Sequence, residues 1–163
     1  MKIGYKFCPV CGIALSSGFI DGKERQYCPG CQFVNYENPL PVAVAVTVKD
    51  SKFLLIKRGI PPRKGMWAAP SGFIETGETA EEACLRELKE ETGVSGRIVR
   101  LAGVLRIEDK EVHGDMLVVR YLVEAGDETP VPGDEVEDVR FFDISELPDY
   151  YYRRVKDLIA EVE

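Results

Sequence analysis

Glu78, Arg86, Glu87, Glu90 and Glu91 put four carboxylates and one guanidinium within 14 positions of the chain. On a helix, residues three and four apart are neighbours, so Glu87, Glu90 and Glu91 share one face. Carboxylates held that close repel, and each raises the others' pKa unless a cation neutralises them. Hard oxygen donors of this kind select Mg²⁺ or Mn²⁺. The flanking residues supply the helix. Thr79 and Glu82 form a capping box, which predicts a start near residue 80. Gly93 suits a left-handed stop after Thr92. Ala80, Ala83 and Cys84 are small enough to let the helix approach a crowded centre. Gly72 to Gly77 forms a tight loop before it, where backbone groups can come close to metal or phosphate. The bland alternative is a solvated helix with surface glutamates.

A second constellation is chemically softer. Cys8, Cys11, Cys28 and Cys31 form two C-x-x-C knuckles separated by 16 residues. That spacing suits a tetrahedral zinc site of four thiolates. Between the knuckles, Ala14 to Gly18 and Phe19 to Gln26 can pair as a hairpin around Asp21-Gly22. So short a segment needs its metal to stay folded. Two disulfides are the alternative, but nothing indicates secretion. Phe19, Tyr27 and Phe33 are read as its small core rather than as base-stacking groups. Lys2, Lys6, Lys23 and Arg25 stand against Asp21, Glu24 and Glu37, which is no basic patch. A structural role is therefore expected for this segment, with dimerisation into a homodimer or nucleic-acid contact as lesser readings. Cys84 reads as a buried helix residue.

The elements that must position these groups follow from pattern. The chain has 163 residues, 45% hydrophobic and 30% charged, enough for one ordinary domain and a small module. Its formal charge of −7 disfavours broad nucleic-acid binding. No apolar run approaches membrane-spanning length and no signal-peptide core is present, so the expected location is cytoplasmic, with no membrane partner. Asn35 to Pro41 reads as a linker, giving a ribbon over 1–38 and a main domain over 39–163. Strands are expected at Pro41–Val48, Lys52–Arg58, Met66–Ile74, Gly96–Ile107, Met116–Ala125 and Val136–Phe142. Glu108 to Asp115 should connect two of them. Ser145 should cap a short turn, and Tyr150 to Val162 should be a terminal helix. Strands, a central helix, more strands and a final helix make an α/β domain with a sheet between helices.

Gly72 to Val94 fills the pattern G-x5-E-x7-R-E-U-x-E-E-x-G-U, with U aliphatic, and resembles the signature of Nudix hydrolases. The resemblance extends over roughly residues 41 to 148. It implies an α/β/α Nudix sandwich with a mixed sheet, preceded by the small four-cysteine zinc ribbon. It also implies metal-dependent hydrolysis of a nucleoside diphosphate linked to another moiety. Carried onto this chain, Glu90 and Glu91 match the principal ligands of Mg²⁺ or Mn²⁺, and Glu87 matches a base or ligand. Glu78 supports metal or water, and Arg86 orients the acidic cluster. Ser71 offers its carbonyl where many members have glycine. Glu135 is the candidate distal acid from the loop before the last strand. A carboxylate would take a proton from the attacking water.

Arg58, Arg63, Lys64, Arg106 and Arg120 are candidates for phosphate contact, each more simply read as a surface charge. His113 reads as a loop histidine and Trp67 as a packing residue, with substrate contact the sharper alternative for both. A zinc ribbon before this domain is similar to the NADH pyrophosphatase group, as is Gly72-Phe73-Ile74-Glu75-Thr76-Gly77-Glu78. The S-Q-P-W-P-F-P array of that group is missing, since residues 95–125 contain neither proline nor tryptophan. The proline that marks ADP-ribose pyrophosphatases is replaced by Asp109-Lys110-Glu111. ADP-ribose or a dinucleotide such as NADH or FAD remains the expected small-molecule substrate. A nucleoside triphosphate pyrophosphohydrolase and a nucleotide-sensing binding module are the alternatives.

Overall fold

The computed structural model describes residues 5–109 and 112–159. Three short strands come first: β1 Ser16–Ile20, β2 Lys23–Tyr27 and β3 Val34–Asn35, in the order β1-β2-β3. The turn between β1 and β2 is Asp21-Gly22, with φ of 50° and 75°. Two successive positive φ values match the right-handed twist of a hairpin. This turn makes the two arms equal, so the strands differ from the expected Ala14–Gly18 and Phe19–Gln26. Ala14 bridges to Phe7 instead. Phe19 is 81% exposed and forms no part of a small core, because it alternates outward beside Glu24.

What holds this segment is sulfur. The four Sγ atoms of Cys8, Cys11, Cys28 and Cys31 lie within 4.8 Å of one another. Cys8 and Cys31 are 3.5 Å apart, and Cys11 and Cys28 are 3.4 Å apart. A disulfide would need about 2.05 Å. The edge of a tetrahedron with zinc–sulfur bonds of about 2.3 Å is about 3.8 Å. The knuckle backbones close on themselves, with the Cys8 N–H donating to the Ile13 carbonyl and the Cys28 N–H to the Phe33 carbonyl, both at 2.7 Å. The cluster thus fits Zn²⁺ and excludes cystine.

The main domain is a mixed sheet. Its strands are β4 Leu40–Lys49, β5 Lys52–Arg58, β6 Trp67–Ala68, β7 Ser71–Phe73, β8 Gly96–Asp109, β9 Gly114–Ala125 and β10 Val136–Phe142. The order is β10-β5-β4-β9-β8, with β6 on β5 and β7 on β4. Only β4 and β9 run parallel, over Leu40↔Met116 to Val48↔Glu124. Helix α1 (Ala80–Thr92) covers one face and α2 (Asp149–Ile159) the other. Period-2 alternation divides the strands between two cores. Ala43, Ala45, Leu54 and Ile56 meet Ala83, Cys84 and Leu88 of α1. Val46, Phe53 and Leu55 meet Tyr151, Val155 and Leu158 of α2.

Several expectations are corrected. Met66–Ile74 is two strands, not one, because Pro70 has no N–H for a ladder. The Pro70 carbonyl accepts from the Ala45 N–H at 2.9 Å as the chain passes from β5 to β4. The turn after β10 is a 3-10 helix at Ile144–Glu146, capped by Asp143 rather than Ser145. β8 and β9 extend to Asp109 and from Gly114, shortening the connection expected at Glu108–Asp115. Lys110, Glu111 and the last residues of the expected terminal helix lie outside the described residues, as does Lys2. No described helix is long and apolar enough to cross a membrane.

Elemental analysis of purified protein should find Zn²⁺ at the ribbon, with no disulfide by thiol titration in denaturant. Removing zinc should expose residues 36–39, between β3 and β4, to protease while the main domain keeps its fold. Intact proteolytic resistance after zinc loss would contradict this.

Candidate active site

The acidic helix is built as its ends dictate. The Thr79 hydroxyl accepts from the Glu82 N–H at 3.2 Å, and the Glu82 carboxylate accepts from the Thr79 N–H at 2.7 Å. Gly93 closes the helix at φ 69°. Ala83, Cys84, Leu88 and Thr92 form the buried stripe. Glu87 and Glu91 flank that stripe, while Glu90 turns outward, with 61% of its side chain exposed.

Arg86 distributes its donors over the box. Its Nε and Nη2 reach both oxygens of Glu78, at 3.0 and 2.7 Å. Nη1 reaches Glu87 at 2.7 Å and Glu90 at 3.2 Å. Nη2 also donates to the Phe73 carbonyl at 3.0 Å. Glu78 therefore faces Arg86 and accepts from the Glu75 N–H, and it stands outside the acidic pocket. Arg86 first, then that N–H, pull its carboxyl down to about 2.

Glu91 has the opposite environment. Burial pushes its carboxyl up to about 7; the Ser71 N–H opposes this, Glu87 and Glu135 add to it, and Arg58 opposes it. The Ser71 N–H donates to Glu91 Oε2 at 2.8 Å. Glu87 lies directly over Gly72: a Cβ on that glycine would fall on the Glu87 carboxylate. The box therefore needs glycine there as space for a carboxylate.

Glu87, Glu90, Glu91 and Glu135 line one pocket of about 450 Å³, together with Gly133 and Asp134. Among the described residues only the cysteines bring three or more ligand atoms into one tight cluster. The glutamates do not converge so closely, since Glu87 and Glu90 turn to Arg86 and Glu91 to Ser71. The donor set is nonetheless all oxygen, and a carboxyl raised chiefly by burial, with Glu87 and Glu135 adding to it, is stabilised in its charged form by a divalent cation.

This pocket adjoins a larger cleft of about 1140 Å³, which shares Glu87, Glu91 and Glu135 with it. The cleft runs along the α2 side of the sheet over Val42, Val44 and Val118. Arg58, Arg63, Arg106 and Arg120, read more simply as surface charges, line it, and Lys64 does not. Arg106 is paired with Asp115 at 2.6 Å. Trp67 lines the cleft and also packs edge-on against Phe142 at 4.7 Å. His113 lies edge-on to Phe73 at 5.3 Å in the same cleft. Sequence reasoning missed Tyr150, Tyr151 and Arg154, since only the packing of α2 brings them to the site.

The NUDIX domain family model matches residues 39–162, and a zinc-ribbon model described as Nudix N-terminal matches residues 6–37. The chain belongs to the Nudix family and is a Nudix hydrolase with an N-terminal zinc ribbon. It is 38% identical over 113 residues to the ADP-ribose pyrophosphatase of Methanocaldococcus jannaschii, covering 69% of this chain and 67% of that protein. It is 35% identical over 144 residues to the NAD-capped RNA hydrolase NudC of Chromobacterium violaceum, covering 88% of this chain and 52% of that one. The chain thus spans about half the length of the NudC relative it matches. A NUDIX hydrolase structure from Nitrosomonas europaea superposes with a TM-score of 0.79 at 28% identity, covering 96% of this chain and 92% of that one.

Gly72→Ala should displace Glu87, a flexible side chain, and lower kcat on the order of 10²-fold while leaving the thermal midpoint nearly unchanged; unchanged kcat would show that the Glu87 position is immaterial. A second outcome concerns pH. From the ordinary 4.5 up to about 7, folded Glu91 keeps a proton that the unfolded chain releases, so its contribution to stability falls as pH rises through that window. A divalent cation relieves the resulting charge. Mg²⁺ should therefore raise the thermal midpoint more at about pH 8 than at about pH 5, read by calorimetry. An equal shift at both would contradict the assignment.

Proposed function

We propose that this chain hydrolyses the phosphoanhydride of a nucleoside diphosphate linked to another moiety, ADP-ribose or a dinucleotide such as NADH or FAD, with Mg²⁺ or Mn²⁺. The observation that carries this reading is the continuity of the acidic pocket with a long cleft of about 1140 Å³. Valines floor that cleft and arginines rim it. A flat apolar ring and a polyphosphate can lie in it end to end, with the anhydride beside the glutamates. The relatives named as ADP-ribose pyrophosphatase and NAD-capped RNA hydrolase favour the same chemistry.

Glu90, Glu91 and Glu87, with the Ser71 carbonyl, would hold the catalytic metal. When bound, it screens the phosphate charge and acidifies water. Glu87 or Glu135 accepts the proton of the attacking water, both being in the acidic pocket. Arg86 and Glu78 orient Glu87 rather than touch substrate. Arg58 and Arg63 draw the phosphates toward the acids, offsetting a repulsion that would otherwise keep an anion away from this chain. The ribbon is a zinc-held structural unit, and cysteines used as zinc ligands rather than as disulfides suit a reducing compartment such as the cytoplasm.

The test is a panel of ADP-ribose, NADH, FAD and nucleoside triphosphates with Mg²⁺ or Mn²⁺, products separated by chromatography. Diphosphate derivatives should be cleaved to monophosphates, and excess chelator should abolish turnover. Glu90→Gln and Glu91→Gln should each lower kcat by roughly 10²–10⁴-fold with the fold intact. Release of pyrophosphate from triphosphates alone would replace this reading with the triphosphate one.

A further inference from the structure

This acidic chain pairs many of its exposed cations with carboxylates, as in Lys57–Glu137, Arg97–Glu124 and Arg106–Asp115. Arg120 is an exception. It is half-buried in β9 and lines the large cleft, yet it has no ion pair among the described residues. Its Nη1 donates to the Arg154 carbonyl at 2.7 Å and its Nη2 to the Ala102 carbonyl at 3.4 Å. Its Nε is buried with no partner among the described residues. Tyr151, which also lines the cleft, is only 6% exposed and its hydroxyl is likewise without a partner. Burial pushes the pKa of that hydroxyl up, and the charge of Arg120 opposes the shift. Arg154, on the same helix, lines the cleft and is free of ion pairs among the described residues.

A partly buried guanidinium without an anion, next to a buried hydroxyl without a partner, is costly unless a ligand completes both. Arg120 spends Nη1 and Nη2 on the Arg154 and Ala102 carbonyls, which leaves its Nε and the Tyr151 hydroxyl as donors without an acceptor among the described residues. Their position relative to the acids is fixed by register. Ser71 pairs with Val44, and Val44 pairs with Arg120. All three line the cleft, and the Ser71 N–H holds Glu91. Two inter-strand spacings separate Ser71 from Arg120, roughly 10 Å. A substrate with its pyrophosphate beside the acids and its length along the cleft brings the adjoining ribose to the Arg120 side.

We infer that Arg120, Arg154 and the Tyr151 hydroxyl form a second anion subsite, which takes a phosphate monoester carried on the ribose of the substrate. Phosphate suits it because a guanidinium fork and a hydroxyl both donate to its oxygens. The preferred substrates are then dinucleotides bearing this additional phosphate. The inference rests on the pyrophosphatase reading, and the experiment separates the two.

With the full-length zinc-bound protein and Mg²⁺, kcat/KM for NADP⁺ should exceed that for NAD⁺ about tenfold. Arg154→Gln should collapse that ratio toward one. Tyr151→Phe should lower the ratio without lowering the thermal midpoint, since the hydroxyl it removes bonds nothing in the protein. Binding is read independently of turnover by calorimetry, comparing adenosine 2′,5′-bisphosphate with 5′-AMP. Tighter binding of the bisphosphate, lost in Arg154→Gln, supports the subsite even if no dinucleotide is hydrolysed, in which case the pyrophosphatase reading alone fails. Equal kcat/KM for the two dinucleotides together with equal binding of the two adenosine phosphates overturns the subsite. So does a ratio that Arg154→Gln leaves unchanged.

Discussion

The site depends on one guanidinium. Without Arg86, Glu78, Glu87 and Glu90 would present like charges to one another with nothing to hold them. Arg86 binds all three and also the Phe73 carbonyl, so it joins the helix to the loop before it. Glu78 lies eight residues from Arg86 in the chain yet gives it both oxygens. The consequence is a division of labour among the acids. Arg86 orients Glu87 and Glu90 and holds the Glu78 carboxyl well below the usual carboxylate range, whereas burial pushes Glu91, away from it, up to about 7. A carboxylate cluster of this kind is poised by contrast between neighbours rather than by any single shift.

Glycine completes the arrangement from the other side. Helix α1 can bring Glu87 against the loop only because Gly72 has no side chain. A second close approach lies at the far end, where a Cβ on Gly133 would fall on the Glu90 carbonyl. The Gly133 N–H in turn donates to the Glu91 carbonyl at 3.0 Å. The loop that carries Asp134 and Glu135 is thereby seated on the last turn of the acidic helix. Two glycines distant in sequence thus set the two walls of one pocket.

Much of this was legible in the sequence because it rests on local rules. Thr79, Glu82 and Gly93 bound the helix correctly, and the paired knuckles specified the four sulfurs. β5 and β10 run over the bounds expected of them, Lys52–Arg58 and Val136–Phe142. What was not legible depends on tertiary partners. Pro70 breaks a strand that reads as continuous, since hydropathy does not register a missing N–H. Phe19 reads as core because a sequence cannot say which face of so short a strand is covered, whereas Tyr27 and Phe33 are half-buried. The pairing of Glu78 with Arg86 is likewise a matter of side-chain geometry that spacing alone does not give. Tyr150, Tyr151 and Arg154 carried no signal at all, because the residues of α2 meet the cleft only through folding.

The alternation along β4 has an evolutionary consequence. Ala43 and Ala45 face the acidic helix, and Val44 and Val46 face the cleft. A mutation at an odd position of this stretch is felt by the machinery that breaks the bond. One at Val44 is felt by the cleft, while Val46 is buried against α2. The two lineages of change are interleaved on one strand yet scarcely constrain each other. The cleft lining at Val42 and Val44 can therefore vary without displacing the acidic helix on the other face.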